Sequence, residues 1–288
     1  MAVGPKATRL LPRPISLGGK VVLAVVVLAP VAGLLGLSLM PSLQIVQGGL
    51  LPRRLSWYNY VAAWTQVNMA AGVVHTLVIA GVGAVACSVL SVGLAYVVSR
   101  FWVRRGGLLM SGFLAAQTAP GTVLLLPLFI LFVSFQTILH ITIVGTYGGI
   151  IVTYVAFGLP LSVWLMWIYM ESVPAVLEEA ALVDGASRAG ALRMVIMPLM
   201  VPGMIVTAVL VFIGEWNDVL FASVLTNGGT RTVAVDLEQF LVTQGGFTQP
   251  EYGPLMAGAV IAALPVVVLY LVFQRHLARG VSLGAVKG

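Results

Sequence analysis

The 288-residue chain is 60% hydrophobic and 8% charged, with a mean hydropathy of +1.06, whereas an ordinary soluble domain is about 25% charged. Water cannot solvate such a surface, so a soluble domain is excluded. The net charge of +6 is a topological signal rather than a nucleic-acid footprint, because Lys and Arg flank the apolar runs.

Bilayer hydrocarbon is about 30 Å thick and a helix rises about 1.5 Å per residue, so each span needs roughly 20 apolar residues. Residues 1–20 form a basic cytoplasmic N-terminus carrying Lys6, Arg9, Arg13 and Lys20. The apolar run 21–40 follows; it is too long for the core of a cleaved signal and has no small-x-small site after it, which makes it a retained first span. The next loop holds Trp57, Tyr58, Tyr60 and Trp64, suited to an interfacial aromatic belt. A second span is expected over 73–99, and it contains the single cysteine, Cys87, so neither an intrachain disulfide nor a thiolate cluster can form.

From Gly106 to Met170 the chain has no Asp, Glu, Lys or Arg, and as one helix this tract would reach on the order of 97 Å. A break over Ser134 to Thr142, where Gln136, Thr137 and His140 gather, divides it into spans at 108–133 and 143–170. Spans five and six are expected at 201–222 and 252–274. The runs are continuous rather than alternating, which indicates helices and not a barrel. The fold class is therefore an all-α membrane protein with six transmembrane helices. Its transmembrane domain covers 21–276, and a cytoplasmic tail covers 277–288. Prolines 120, 127, 160, 202 and 265 are read as kinks whose freed carbonyls neighbouring helices satisfy.

With both termini inside, Arg53, Arg54 and Arg231 are the basic residues that fall outside, and the other twelve of the 15 fall inside. The opposite orientation would violate the positive-inside rule.

The inner loop 171–200 carries Glu178, Glu179, Asp184 and Arg188. Pro174 suits a first helical turn, early glutamates suit the helix dipole, and Gly185 can adopt the left-handed turn that ends a helix. Ala180 and Ala181 keep that helix thin, so another protein could approach its backbone, with Val176, Leu177 and Val183 as apolar contacts.

Glu179-Ala180-Ala181, Gly185, then Val195, Met197 and Pro198 resemble the E-A-A-x3-G-x9-I-x-L-P signature of permease subunits in binding-protein-dependent ABC importers. Asp184-Gly185-Ala186 matches its extended form. Val195, Met197 and Leu192 depart from the usual Ile, Leu and Phe but remain apolar. Trp57-Tyr58-Asn59-Tyr60, the stretch FIGEWND from Phe212 to Asp218 and the terminal Gly284-Ala285-Val286-Lys287-Gly288 are similar to the maltose-type and trehalose-type carbohydrate branch. The resemblance implies the ABC importer permease fold in a bacterial-type inner membrane. It implies partners too: a second permease subunit, two ATPase subunits, an extracytoplasmic substrate-binding protein and a carbohydrate, with membrane lipid around the bundle and no nucleic acid. It also implies that Glu178, Glu179, Ala180, Ala181, Asp184, Gly185, Ala186 and Pro198 couple the chain to the ATPase.

Within the bundle, Glu215 and Asp218 share a helix face at i, i+3. A charge at the bilayer centre costs roughly 2.5–3.5 kcal/mol on the insertion scale, so they are expected at a cavity, a partner or the outer interface. Trp216, Asn217, Gln117 and Thr118 offer aromatic and polar chemistry suited to sugars. An ion-gradient-driven secondary transporter relaying protons or sodium through Glu215 and Asp218 is the alternative, and it leaves the E-A-A segment unexplained. The sequence has no H-E-x-x-H helix, no G-x-S-x-G elbow and no phosphate-cradling G-x-x-x-x-G-K-[ST] loop. No catalytic or metal-binding residue and no cofactor is expected on this chain, ATP and Mg²⁺ belonging to the partner ATPase.

Overall fold

The computed structural model describes residues 13–49, 51–101, 106–244 and 251–284. Lys6, Arg9, Arg104, Arg105 and the tail residues Ala285 to Gly288 lie outside them. The chain is built from helices: α1 Arg13–Ser38, α2 Ser42–Val46, α3 Tyr58–Gln66, α4 Met69–Phe101, α5 Gly106–Ala116, α6 Gly121–Leu139, α7 Tyr147–Glu171, α8 Ala175–Val183 and α9 Arg188–Ala191. A π turn, Leu192–Ile196, joins α9 to α10 Met197–Trp216, and α11 Leu220–Leu225, α12 Val233–Gln244 and α13 Tyr252–Gly284 follow. Among the described residues, six helical stretches are long and apolar enough to cross a membrane: Gly18–Ser38, Met69–Phe101, Gly121–Leu139, Tyr147–Glu171, Arg188–Trp216 and Tyr252–Leu277.

The third of these starts and ends later than the expected 108–133. Pro120 disfavours helix at the residue before it, and the chain breaks after α5, where the Thr118 hydroxyl donates to the Ala115 carbonyl at 2.7 Å. α6 then runs on to Leu139 and is ended by His140 at φ +54°. The Gln136 side chain, expected to mark the break, holds the turn by accepting from the Ile143 amide at 2.9 Å and from the Val144 amide. The fifth stretch ends at Trp216, short of the expected 222, because Asp218 caps α11 by accepting from the Phe221 and Ala222 amides at 3.2 and 3.0 Å. The π turn sits just ahead of Pro198, whose missing N–H disturbs the i→i−4 ladder there.

The chain divides into two compact units. In the first, Met1–Val67 with Leu241–Ile261, the buried Asn59 amide donates to the Ser38 and Met40 carbonyls at 2.8 Å each. It thereby caps the end of α1, and Tyr60 adds a hydroxyl bond to Ser38 at 2.8 Å. This is the physical work of the Trp57-Tyr58-Asn59-Tyr60 element.

In the second unit, Asn68–Phe240 with Ala262–Gly288, α4, α7 and α10 pack together. The buried face of α4 is rich in small residues, Gly72, Thr76, Ala80, Gly83, Ala84, Ser88, Ser91, Ala95 and Ser99, interspersed with larger ones such as Ile79, Val92 and Tyr96. Between membrane helices, association depends on close van der Waals approach rather than on expelling water, and small residues permit it. Ser88 donates to the Met204 carbonyl of α10 at 3.0 Å, whereas Thr76, Thr153 and Ser162 return their hydroxyls to carbonyls four residues back. At the end where α4 begins, the Thr76 hydroxyl also accepts from the Val233 amide at 2.8 Å. His75 Nδ1 there lies 3.0 Å from the Arg231 carbonyl, with its ring edge-on to Tyr147, so this histidine is packed.

Candidate functional site

At the end of the bundle where α4 finishes and α10 begins, the chain forms a short helix, a turn and a second short helix. Pro174 sits at the α8 N-cap with ψ 128°. α8 closes in a Schellman turn: the Ala186 amide bonds the Ala181 carbonyl at 3.0 Å, and Gly185 bonds Leu182 at 3.1 Å. Gly185 takes φ +90° with open space where a Cβ would stand, so the glycine is there for backbone conformation alone. Ser187 caps α9 by accepting from the Gly190 amide at 3.1 Å.

The two adjacent glutamates of α8 part company. Glu178 is 4% exposed; it accepts from the Tyr96 hydroxyl at 2.5 Å and from Arg100 Nε at 3.0 Å. Arg100 also donates to the Val173 carbonyl at 3.2 Å, and Ser99 bonds Glu171 at 2.6 Å. These bonds tie α8 and the end of α7 to the last turn of α4. Glu179, Ala180, Asp184, Gly185 and Pro198 are exposed, while Ala181 and Ala186 are half-buried. Val176, Ala180 and Val183 follow the i, i+4, i+7 spacing of one helix face, and Val183 is 87% exposed. Arg188 lies over the Phe101 ring at 5.2 Å, a cation–π contact that steadies the start of α9. Tyr96 and Arg100 lie outside the E-A-A pattern, and the sequence reading does not single them out for coupling. Their i, i+4 spacing at the end of an apolar span was the available signal.

A second feature is a cleft of about 240 Å³ within the same unit, lined among others by Gln117, Tyr154, Phe157, Glu215, Asp218 and Phe221. Glu215 is buried, its carboxylate lies against Gly83 of α4, and neither oxygen has a hydrogen-bond partner among the described residues. Gly83 is about 21 Å from the start of α4, which at 33 residues is about 50 Å long, so Glu215 reaches the middle of that helix rather than its end. Asp218 is half-buried and accepts from the Tyr154 hydroxyl at 2.9 Å in addition to capping α11. Phe157 and Phe221 face each other at 4.7 Å.

The other expected pathway residues lie elsewhere or are engaged. Trp216 is buried, stacked on Phe212 at 5.4 Å, with its indole donating to the Ala262 carbonyl at 3.1 Å. Asn217 donates to Ile213 at 2.7 Å. Gln117 reaches the cleft but gives its amide to the Phe157 carbonyl at 2.9 Å, and Thr118 serves its own helix end. The cleft thus combines Glu215, Asp218 and an aromatic wall that includes Tyr154.

Comparison with known proteins puts this arrangement in context. Residues 87–283 match the family described as binding-protein-dependent transport system inner membrane component. The chain is 33% identical over 262 residues to the trehalose transport system permease protein SugB of Mycobacterium tuberculosis, covering 91% of this chain and 93% of that protein. It is 32% identical over 255 residues to the maltose/maltodextrin transport system permease protein MalG of Escherichia coli strain K12, covering 84% of each. Among solved structures, a chain of a bacterial ABC transporter involved in the import of the acidic polysaccharide alginate superposes with TM-score 0.70 at 22% identity, over 93% of this chain and 99% of that one. A chain of the MetNI methionine ABC transporter in inward facing conformations gives TM-score 0.55 at 17% identity, over 74% and 95%.

Proposed function

The chain belongs to the family of binding-protein-dependent transport system inner membrane components, and from that premise we propose that it is the carbohydrate permease subunit whose α8 segment seats in a groove of the ATPase. It is a multi-pass membrane transport subunit and not an enzyme, working with a separate ATPase and a substrate-binding protein. The carbohydrate class is supported by the trehalose and maltose permeases among its relatives. Assembly with a second permease subunit and two ATPase subunits, both termini in the cytoplasm and the division into residues 1–20, 21–276 and 277–288 complete the reading.

The observation that carries the coupling role is the split of Glu178 from Glu179. One carboxylate ties α8 to the bundle, while the opposite surface presents Val176, Ala180 and Val183, all exposed. A helix held rigidly at its base and bare on its apolar stripe suits a groove. ATP-driven closure of the two ATPase subunits would move such a seated helix and bias the bundle between its two access states. Hydrolysis would then relax it. Glu179, Ala181, Asp184, Gly185, Ala186 and Pro198 complete the docking segment, while Gln117, Thr118, Glu215, Trp216, Asn217 and Asp218 are the substrate-side candidates.

Family membership gives no support to the ion-gradient alternative. The test is reconstitution of the complex in liposomes with its binding protein and a panel of neutral, aminated and acidic disaccharides. Uptake of at least one saccharide is expected to require both ATP and the binding protein. Uptake sustained by an ion gradient without ATP, or no saccharide stimulating ATP hydrolysis, would overturn the reading.

A further inference from the structure

We infer that the cleft between α7 and α10 receives a cationic group, and that the cargo is accordingly a saccharide bearing a protonated amine; this rests on the carbohydrate-permease reading above. The geometry starts with Glu215. A carboxylate withdrawn from water and left without a hydrogen-bond donor is costly in a low-dielectric interior unless a positive charge or a donor reaches it. Both of its oxygens are in that condition, and the residue lines the cleft beside Asp218. No Lys, Arg or His is among the described residues that line it.

The rest of the wall suits the same ligand. Tyr154, Phe157 and Phe221 supply ring faces that attract a cation electrostatically and also stack on a sugar ring. Asp218 already accepts three protein donors, which leaves Glu215 as the acceptor still in need of a partner. Gly83 gives that side chain room to lie against α4, and the inference requires the carboxylate to turn from there toward an arriving ammonium. Hydroxyls of a neutral sugar could donate to it without cancelling the charge, and a uronate would add a further negative charge to a site that has two.

A cysteine reporter tests the charge without needing the natural cargo. Gly214 lines the cleft and a Cβ there meets nothing within 4 Å, so Gly214→Cys on a Cys87→Ala background, in the complete complex in nanodiscs, presents one thiol to it. A cationic methanethiosulfonate is expected to react at least tenfold faster than an anionic one. Adding Glu215→Gln, close in shape and so retaining the fold, should lower that ratio at least threefold, Asp218 still lining the cleft, while the melting temperature holds. The disaccharide of glucosamine should protect the thiol, and its N-acetylated counterpart should protect at least tenfold less.

Equal rates for the two reagents in the Glu215 protein, the result expected if a basic residue of the second permease already neutralises the carboxylate, would overturn the inference. Equal protection by the amine and the N-acetyl disaccharide, or protection by neither, would overturn it as well. ATP-dependent uptake of neutral saccharides unaffected by Glu215→Gln would remove this inference and leave the permease reading standing.

Discussion

Removing Glu178 should unseat α8 without unfolding the bundle. Its carboxylate is 4% exposed and holds the Tyr96 hydroxyl at 2.5 Å and Arg100 Nε at 3.0 Å. Breaking a buried ion pair by deleting one partner costs about 3–5 kcal/mol. Arg100 keeps the Val173 carbonyl at 3.2 Å and is 15% exposed, so water reaches it and the lower figure applies. A loss of about 3 kcal/mol moves the equilibrium between seated and detached α8 by about two powers of ten. Tyr96→Phe removes one hydrogen bond to a charged group, about 1.5–3 kcal/mol. In a double-mutant cycle, Glu178→Ala and Arg100→Ala should be non-additive by about 2 kcal/mol, because each single change already destroys the shared bond. Hydrogen exchange of residues 175–183 in the assembled complex reads the opening free energy of the segment. ATP hydrolysed per saccharide moved reads coupling, and should rise in Glu178→Ala while membrane insertion is unchanged. Unaltered protection of α8 in Glu178→Ala, or additive effects across the cycle, would refute the reasoning.

Gly185→Val should weaken coupling more than Gly185→Asn, since φ +90° with open space around it makes the effect one of backbone strain, about 1–2 kcal/mol for an ordinary L-residue, and Asn tolerates that region; equal uptake by the two variants would count against it. Gly83→Ala should lower the melting temperature less than Gly72→Ala, because the nearest atoms to the added methyl belong to the movable end of Glu215, whereas at Gly72 it meets the Val233 backbone at 3.1 Å; a reversed order would contradict the packing account. Asp236 lies 3.4 Å from Arg231, with one oxygen buried and without a partner among the described residues, and burial raises its carboxyl from 3.8 to about 6 against the opposing pull of Arg231 and His75. The folded state therefore holds the proton more tightly, so stability falls as pH rises from about 4 to about 6, by roughly 3 kcal/mol from this group. Asp236→Asn should raise the melting temperature at pH 7 and flatten the pH profile; parallel profiles for wild type and variant would refute it.

The helical class and the count of spans were legible because they depend on quantities the sequence states outright: the length of each uncharged run and the thickness of a bilayer. The ends of the spans were less legible, because they depend on side chains reaching across space. The polarity of Gln136, Thr137 and His140 marks a break over 134–142, yet Gln136 itself sits inside α6 and reaches forward to hold the Ile143 and Val144 amides. Trp216 and Asn217 have chemistry suited to sugars, yet the Trp216 indole N–H goes to the Ala262 carbonyl and the Asn217 amide nitrogen to the Ile213 carbonyl. Composition says what a side chain can bond and not which partner arrives first.

Glu178 and Glu179 show the same limit most sharply. They are adjacent and chemically identical, and a helix turns about 100° between them, so one must face away from the other. Which one turns inward is fixed by Tyr96 and Arg100, some eighty residues earlier in the chain and one helical turn apart on α4. A docking helix needs both a fixed side and a free side, and the long-range pair assigns them. The E-A-A pattern names the segment, but the bonds made by Tyr96 and Arg100 determine which of its faces is left bare for a partner.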